Sequence, residues 1–248
     1  MPQKVLEIKE VSFSYEGKEK QALSNISLSF FQGEFVGIIG PVGSGKTSLL
    51  YCCNGLIPKE IKGKFSGSVK IFGKEVSSLP FREIAKLSSM VFQDADDQIF
   101  NMTVIDEVAF GLFCTQEISQ EKAKQKAFEA LKKIGLDNLA DADPTELSVG
   151  QKQKVALACA IAQESPILLL DEPVASLDWK SACEIYSILS KMAKEGKTVI
   201  ITEQDTCLLA KYATRIVVLA DGKLVAQGKP SLLFSKKLQN LGLRMPVR

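Results

Sequence analysis

At 248 residues, the chain is long enough for one large domain or one domain carrying a subdomain. Hydrophobic residues make up 46% and charged residues 24%, the balance of an ordinary globular protein, which excludes a disordered, collagen-like or low-complexity chain. With 31 basic and 29 acidic residues spread along it, the formal charge is +2, and this argues against the broad basic field of a nucleic-acid binder.

No run reaches the ~18 apolar residues that cross a bilayer, and the opening MPQKVLEIKE has no apolar signal core behind Lys4. The chain is therefore expected to be made and kept in the cytosol. Cys52, Cys53, Cys114, Cys159, Cys183 and Cys207 show no CxxC spacing, and histidine is absent. This leaves little support for a zinc site, a disulfide scaffold or a Cys/His catalytic pair. The thiols are expected to be small buried apolar residues.

In chain order, alternation over Val5 to Tyr15 and Ala22 to Phe31 predicts antiparallel strands. EFVGIIG is short, β-branched and apolar on both faces, as in a buried parallel strand, and it runs into a glycine loop. A helix is expected from about Gly45 to Gly55 and a strand over SVKIFG, from Ser68. From Thr103 to Gln163 the period becomes helical, with Ala123, Ala127, Leu131 and Ile134 on one face. Asp143 and Pro144 punctuate it before a helix over Val149 to Ala162. The α/β pattern then resumes: strand ILLLD, helix Trp179 to Lys194, strand TVIIT, helix Cys207 to Tyr212, and strands RIVVLAD and KLVAQG.

Gly40-Pro41-Val42-Gly43-Ser44-Gly45-Lys46-Thr47 has the form GxxxxGK[ST] between a predicted strand and a predicted helix. Glycines let backbone N–H groups converge on phosphate oxygens, and the helix N-terminus adds its positive end. Lys46 can then reach the β- and γ-phosphates and Thr47 can ligate magnesium, with Ser48 next in the helix. PILLLDEP ends in two carboxylates, which by themselves could mark only a strand reaching the surface. Beside a phosphate loop they acquire separate tasks: Asp171 holds magnesium through water, and Glu172 polarises the attacking water as general base.

LSVGQKQKVALACAIA, Leu147 to Ala162, resembles the signature of the nucleotide-binding subunits of ATP-binding cassette transporters, and the resemblance extends over almost the whole chain. Leu147, Ser148, Gly150 and Gln151 fit the LSGGQ form, with Val149 in place of a glycine. Ser148 and Gln151 also fit a capping box. The resemblance implies ATP and Mg2+ as cofactors and an α/β phosphate-loop NTPase core with an N-terminal antiparallel β edge and a mainly α-helical subdomain. The whole of residues 1–248 would form one such domain: 1–92 and 164–248 the core, 93–163 the glutamine loop and helical subdomain. It further implies that Tyr15 stacks on adenine, that Gln93 senses magnesium and the attacking water, and that Ala175-Ser176-Leu177-Asp178 crosses a dimer interface. Gln204 stands where the family has a histidine contacting the γ-phosphate; an amide can donate a hydrogen bond there but cannot be protonated.

FQDADDQIF and TVIDEVAFG resemble stretches of the energy-coupling factor branch, which imports vitamins and metal ions. The chain ends soon after SLLFSKKLQNLGL, so little C-terminal extension is expected. These resemblances imply an ATPase subunit peripheral to the cytoplasmic face of the cell membrane. Its partners would be a transmembrane subunit, a substrate-binding membrane subunit and a second cassette, a heterodimer being favoured over a homodimer, with no nucleic acid. Two other functions fit the same motifs: a catalytically weak ATP-binding partner in a heterodimer, and a soluble cassette ATPase outside transport.

Overall fold

Alternating apolar residues build an antiparallel sheet at the N-terminus of the computed structural model, which describes residues 2–235 and 238. In β1 (Lys4–Tyr15), Leu6, Ile8, Val11 and Phe13 are buried, and β2 (Leu23–Phe31) runs antiparallel to it with Ile26 opposite Val11. β3 (Phe35–Ile39) is buried at every position and feeds α1 (Lys46–Cys53). After the short α2 (Leu56–Lys59), β4 (Gly63–Ile71) returns to β1 and β5 (Lys74–Glu75) completes the order β2-β1-β4-β5. β4 begins at Gly63 rather than Ser68: its first half is largely exposed and has no apolar alternation, and it is a strand because it pairs with Ser12 to Tyr15.

α3 (Phe81–Leu87) and β6 (Ser88–Val91) follow, neither marked in the sequence pattern. β6 has only four residues, two of them serines, and pairing with a buried neighbour makes it a strand. The helical stretch resolves into α4 (Val104–Thr115), α5 (Gln120–Lys133) and α6 (Val149–Ala162), N-capped by Thr103, Ser119 and Ser148. The predicted face of Ala123, Ala127, Leu131 and Ile134 is buried. Then come β7 (Ile167–Asp171), α7 (Trp179–Lys194), β8 (Thr198–Glu203), α8 (Cys207–Tyr212), β9 (Arg215–Ala220) and β10 (Lys223–Gly228).

The second sheet has the order β10-β9-β3-β8-β7-β6, parallel except for β10. Period-two alternation divides the core in two. Phe35, Leu168, Leu170, Val199 and Ile201 pack with residues of the helical insert, α7 and α8, while Val36, Ile38, Leu169 and Ile200 pack with α1 and the N-terminal sheet. β3, β7 and β8 are adjacent, so the loops at their carboxyl ends open onto one crevice, where ligands bind in open α/β sheets.

Of the six thiols, only Cys52 and Cys53 are fully buried; Cys159, Cys183 and Cys207 are half-buried and Cys114 is exposed on α4, so the expectation of buried cysteines holds for two. Residues 236–248, apart from Leu238, lie outside the described residues, and with them most of the expected C-terminal stretch.

Candidate functional site

The loop between β3 and α1 has the shape its glycines permit. Gly45 precedes α1 at φ +98°, and a Cβ there would collide with the Ala22 carbonyl; a Cβ on Gly40 would strike the Leu219 carbonyl. Lys46 is buried at the first position of α1. Its ammonium donates to the carbonyls of Gly40 at 2.9 Å and Pro41 at 3.3 Å and lies 4.0 Å from Glu172 Oε1. Burial lowers its pKa, against the pull of Glu172, Asp171 and Glu203. The Ser44 hydroxyl is buried with no hydrogen-bond partner among the described residues. Tyr15 Oη lies 2.8 Å from Ser48 Oγ, and its ring meets Phe13 edge-on at 4.9 Å, tying the end of β1 to α1.

β7 delivers the two carboxylates in different environments. Asp171 is buried; its Oδ1 accepts from the Thr202 hydroxyl at 2.5 Å, and its Oδ2 has no partner among the described residues. Glu172 adopts φ +46°, a left-handed conformation that costs a side-chain-bearing residue about 1 kcal/mol. Its N–H donates to the carbonyl and the hydroxyl of Thr202, at 3.2 and 3.1 Å. Gln204 Nε2 donates to both oxygens of the Glu172 carboxylate, at 3.0 and 3.1 Å, and Gln93 Nε2 to one of them at 3.4 Å.

These residues share a cleft of about 330 Å³ that brings together Tyr15, Val42, Gly43, Ser44, Gly45, Lys46, Thr47, Ser48, Gln93, Glu172 and Gln204. Gly40 and Pro41 line an adjoining cavity of about 640 Å³ with Val42, Glu172 and Gln204. A divalent cation fits the chemistry of Asp171, whose Oδ2 is buried with no partner among the described residues, and of Thr47, half-exposed in α1 where it lines the 330 Å³ cleft. Among the described residues no cluster of three or more Asp, Glu, Cys or His could hold a metal, so a cation here would take most of its ligands from phosphate and water.

The signature residues are elsewhere. Ser148 caps α6 and accepts from the Gln151 N–H at 3.3 Å, while Gln151 Oε1 accepts from the Ser148 N–H at 2.9 Å, the reciprocal box expected. Asp178 caps α7 through the Ser181 N–H at 3.0 Å. Ser148, Gly150, Gln151 and Asp178 line their own shallow cavity, away from Lys46. Val149 is 62% exposed on the first turn of α6.

The motifs gave no sign of Thr202 or Glu107. Thr202 is a buried hydroxyl near the end of β8, two residues before Gln204, and it donates to Asp171. Glu107, buried in α4, accepts from the N–H groups of Phe100 and Asn101 at 3.0 and 2.8 Å and so pins the loop that follows Gln93. A carboxylate on the buried face of an amphipathic helix was the available signal.

The family model for ABC transporters matches residues 23–175. The chain belongs to that family, as an ATP-binding cassette. It is 37% identical over 247 residues to a Pyrococcus abyssi chain described as an ABC transporter ATP-binding protein, covering 98% of this chain and 88% of that one. A similarly described Clostridium perfringens chain is 40% identical over 98% of this chain, which spans only 43% of that longer relative. Among solved structures, a dimeric cassette in a post-hydrolysis state with ADP and Pi superposes with a TM-score of 0.82 at 33% identity, covering 91% of this chain and 98% of that one. Clostridium perfringens cbiO1, part of the ABC transporter complex cbiONQ, gives 0.79 at 31% identity, covering 97% and 95%. The cassette thus has the fold its motifs implied, a phosphate-loop α/β core with an antiparallel sheet and a helical subdomain. No helix among the described residues is long and apolar enough to cross a membrane.

Proposed function

We propose that this cassette binds and hydrolyses Mg·ATP and powers a membrane importer of the energy-coupling factor type. The observation that carries the reading is the convergence of Lys46, Gln93 and Gln204 on Glu172 at the mouth of the phosphate loop. In this reading Lys46 leaves the loop carbonyls for the β- and γ-phosphates, and residues 40–45 offer backbone N–H groups. Tyr15 provides the adenine-facing wall. Thr47, Asp171 and Gln93 hold the magnesium, which neutralises phosphate charge. Glu172 orients the attacking water and accepts its proton while Gln204 and Gln93 fix its carboxylate, so rate acceleration comes from positioning and charge stabilisation.

Ser148, Gly150, Gln151 and Asp178 serve the nucleotide of a second cassette, consistent with their separation from Lys46 and with a dimeric relative. A non-identical partner is favoured because it leaves each composite site with one departure, Gln204 or Val149, instead of both. We assign residues 93–163 to the subdomain that moves against the core and place the transmembrane subunit at their joint, with the assembly on the cytoplasmic face of the cell membrane. A substrate-binding membrane subunit would select the cargo. Phe100, 66% exposed and edge-on to Phe110, and the half-buried Ile99 are the apolar anchors for that contact. The importer type is supported by the likeness to cbiO1. Phosphate release by the purified protein tests the reading: turnover should require magnesium and stop with EDTA, and a protein that does not bind ATP would overturn it.

A further inference from the structure

β8 ends in Glu203, whose side chain shares the strand face of Val199 and Ile201 and meets α7. Glu203 is 5% exposed, and its Oε1 and the Tyr186 hydroxyl of α7 are both fully buried with no completed hydrogen bond among the described residues. The next residue, Gln204, is the one whose amide grips both oxygens of Glu172. Glu203 also lines the 640 Å³ cavity with Gly40, Pro41 and Glu172. The titratable groups that face it are Glu172 after β7, Asp205 after β8, Tyr186 on α7 and Lys46 on α1. The cation among them is already bonded to two loop carbonyls beside Glu172. A desolvated carboxyl so placed keeps its proton: burial first, then the Glu172 charge, pushes its pKa up to about 8, with the Tyr186 hydroxyl opposing.

We propose that Glu203 is a positioning residue that works as a neutral acid: protonated, it leaves Lys46 and Gln204 to Glu172 and the phosphates, and ionised, it adds a fixed negative charge that weakens nucleotide binding. The proposal rests on reading the cleft as an ATP site. Its device is separate from the phosphate contacts, because Glu203 acts through its neighbours.

Thermal unfolding without nucleotide tests the titration. The folded-state pKa lies above the unfolded one, so the stabilising contribution of the proton is complete at acidic pH and fades as pH rises toward 8. Wild type should therefore lose melting temperature relative to Glu203→Gln up to about pH 8 and run parallel to it above. Tyr186→Phe, which removes the hydroxyl favouring the charge, should move that break to higher pH. Titration with ATP and magnesium tests the coupling. The ratio of wild-type to Glu203→Gln Kd should rise at least about threefold between pH 7 and pH 9.5, while any titration of Lys46 is common to both proteins. A purely structural role would give a constant ratio, and a constant ratio with both proteins binding ATP at pH 7 overturns the proposal while leaving the ATP site intact. If neither binds ATP at pH 7, the site reading fails and takes the proposal with it.

Discussion

The phosphate-loop region and the signature region are built in opposite ways. At the first, residues far apart in sequence, 46, 93, 172 and 204, are brought together by three adjacent strands and the β6 edge: Lys46 and Glu172 are buried, and the exposed Gln93 and Gln204 turn their amides onto the Glu172 carboxylate. At the second, the bonds are local: Ser148 with Gln151 and Asp178 with Ser181, each closing the first turn of its own helix. Val149 and Trp179, the first residues of those helices, are each 62% exposed. A desolvated cluster must balance its charges within the chain, because an unpaired buried charge costs several kcal/mol. Capped helix ends satisfy their orphan N–H groups without tertiary help and leave an outward face free to meet another molecule. One region therefore holds its own chemistry, and the other is suited to complete someone else's.

The largest test of that contrast removes the cation from the desolvated cluster. Lys46→Ala should weaken binding of a fluorescent ATP analogue by about a hundredfold, since a charge-assisted contact to phosphate is lost and Glu172 loses its neighbouring positive charge. Unchanged affinity would place the phosphates elsewhere. Glu172→Gln should come next: ATP still binds, but phosphate release falls about a hundredfold as general-base action is lost. Nucleotide-bound dimer should accumulate on size exclusion with ATP and magnesium; a variant that remains a monomer under those conditions removes Glu172 from the role assigned to it.

The same contrast explains what was readable in advance. β3, β7 and β8 were legible because burial on both faces leaves unbroken apolar runs, and the glycine loop because its backbone geometry demands particular residues. The capping box of Ser148 and Gln151 was legible because it is local. β6 and the start of β4 were not, because pairing with neighbours rather than their own pattern makes them strands. Glu172 and Gln204 could be placed in one site by motif, but the two bonds between them depend on the register of β7 and β8, which puts Asp171 beside Thr202.

Gln204 probes the cluster more gently. Its amide holds Glu172 in place, so Gln204→Ala should lower kcat about tenfold with little change in KM, the signature of a contact that orients the base. Gln204→His offers a ring nitrogen and a possible positive charge instead. If glutamine limits the γ-phosphate contact, the histidine variant should raise turnover; if wild type is already brisk and histidine adds nothing, the amide is a sufficient substitute.

The smallest expected effect is at the signature, and it separates the two regions most cleanly. Val149 is exposed and touches neither Lys46 nor the cleft, so Val149→Gly should leave ATP affinity of the isolated monomer unchanged. Within the chain, its cost is only the loss of helix propensity at the first turn of α6, about 0.3 kcal/mol. If the outward face meets the phosphates of a second cassette, removing the branched side chain should let that backbone approach more closely. Association measured by sedimentation with ATP and magnesium would then strengthen by about threefold, which is less than 1 kcal/mol. A change in monomer affinity with no change in association would mean that the signature acts on its own chain's nucleotide, and the division between a self-contained half and an outward-facing half would fall.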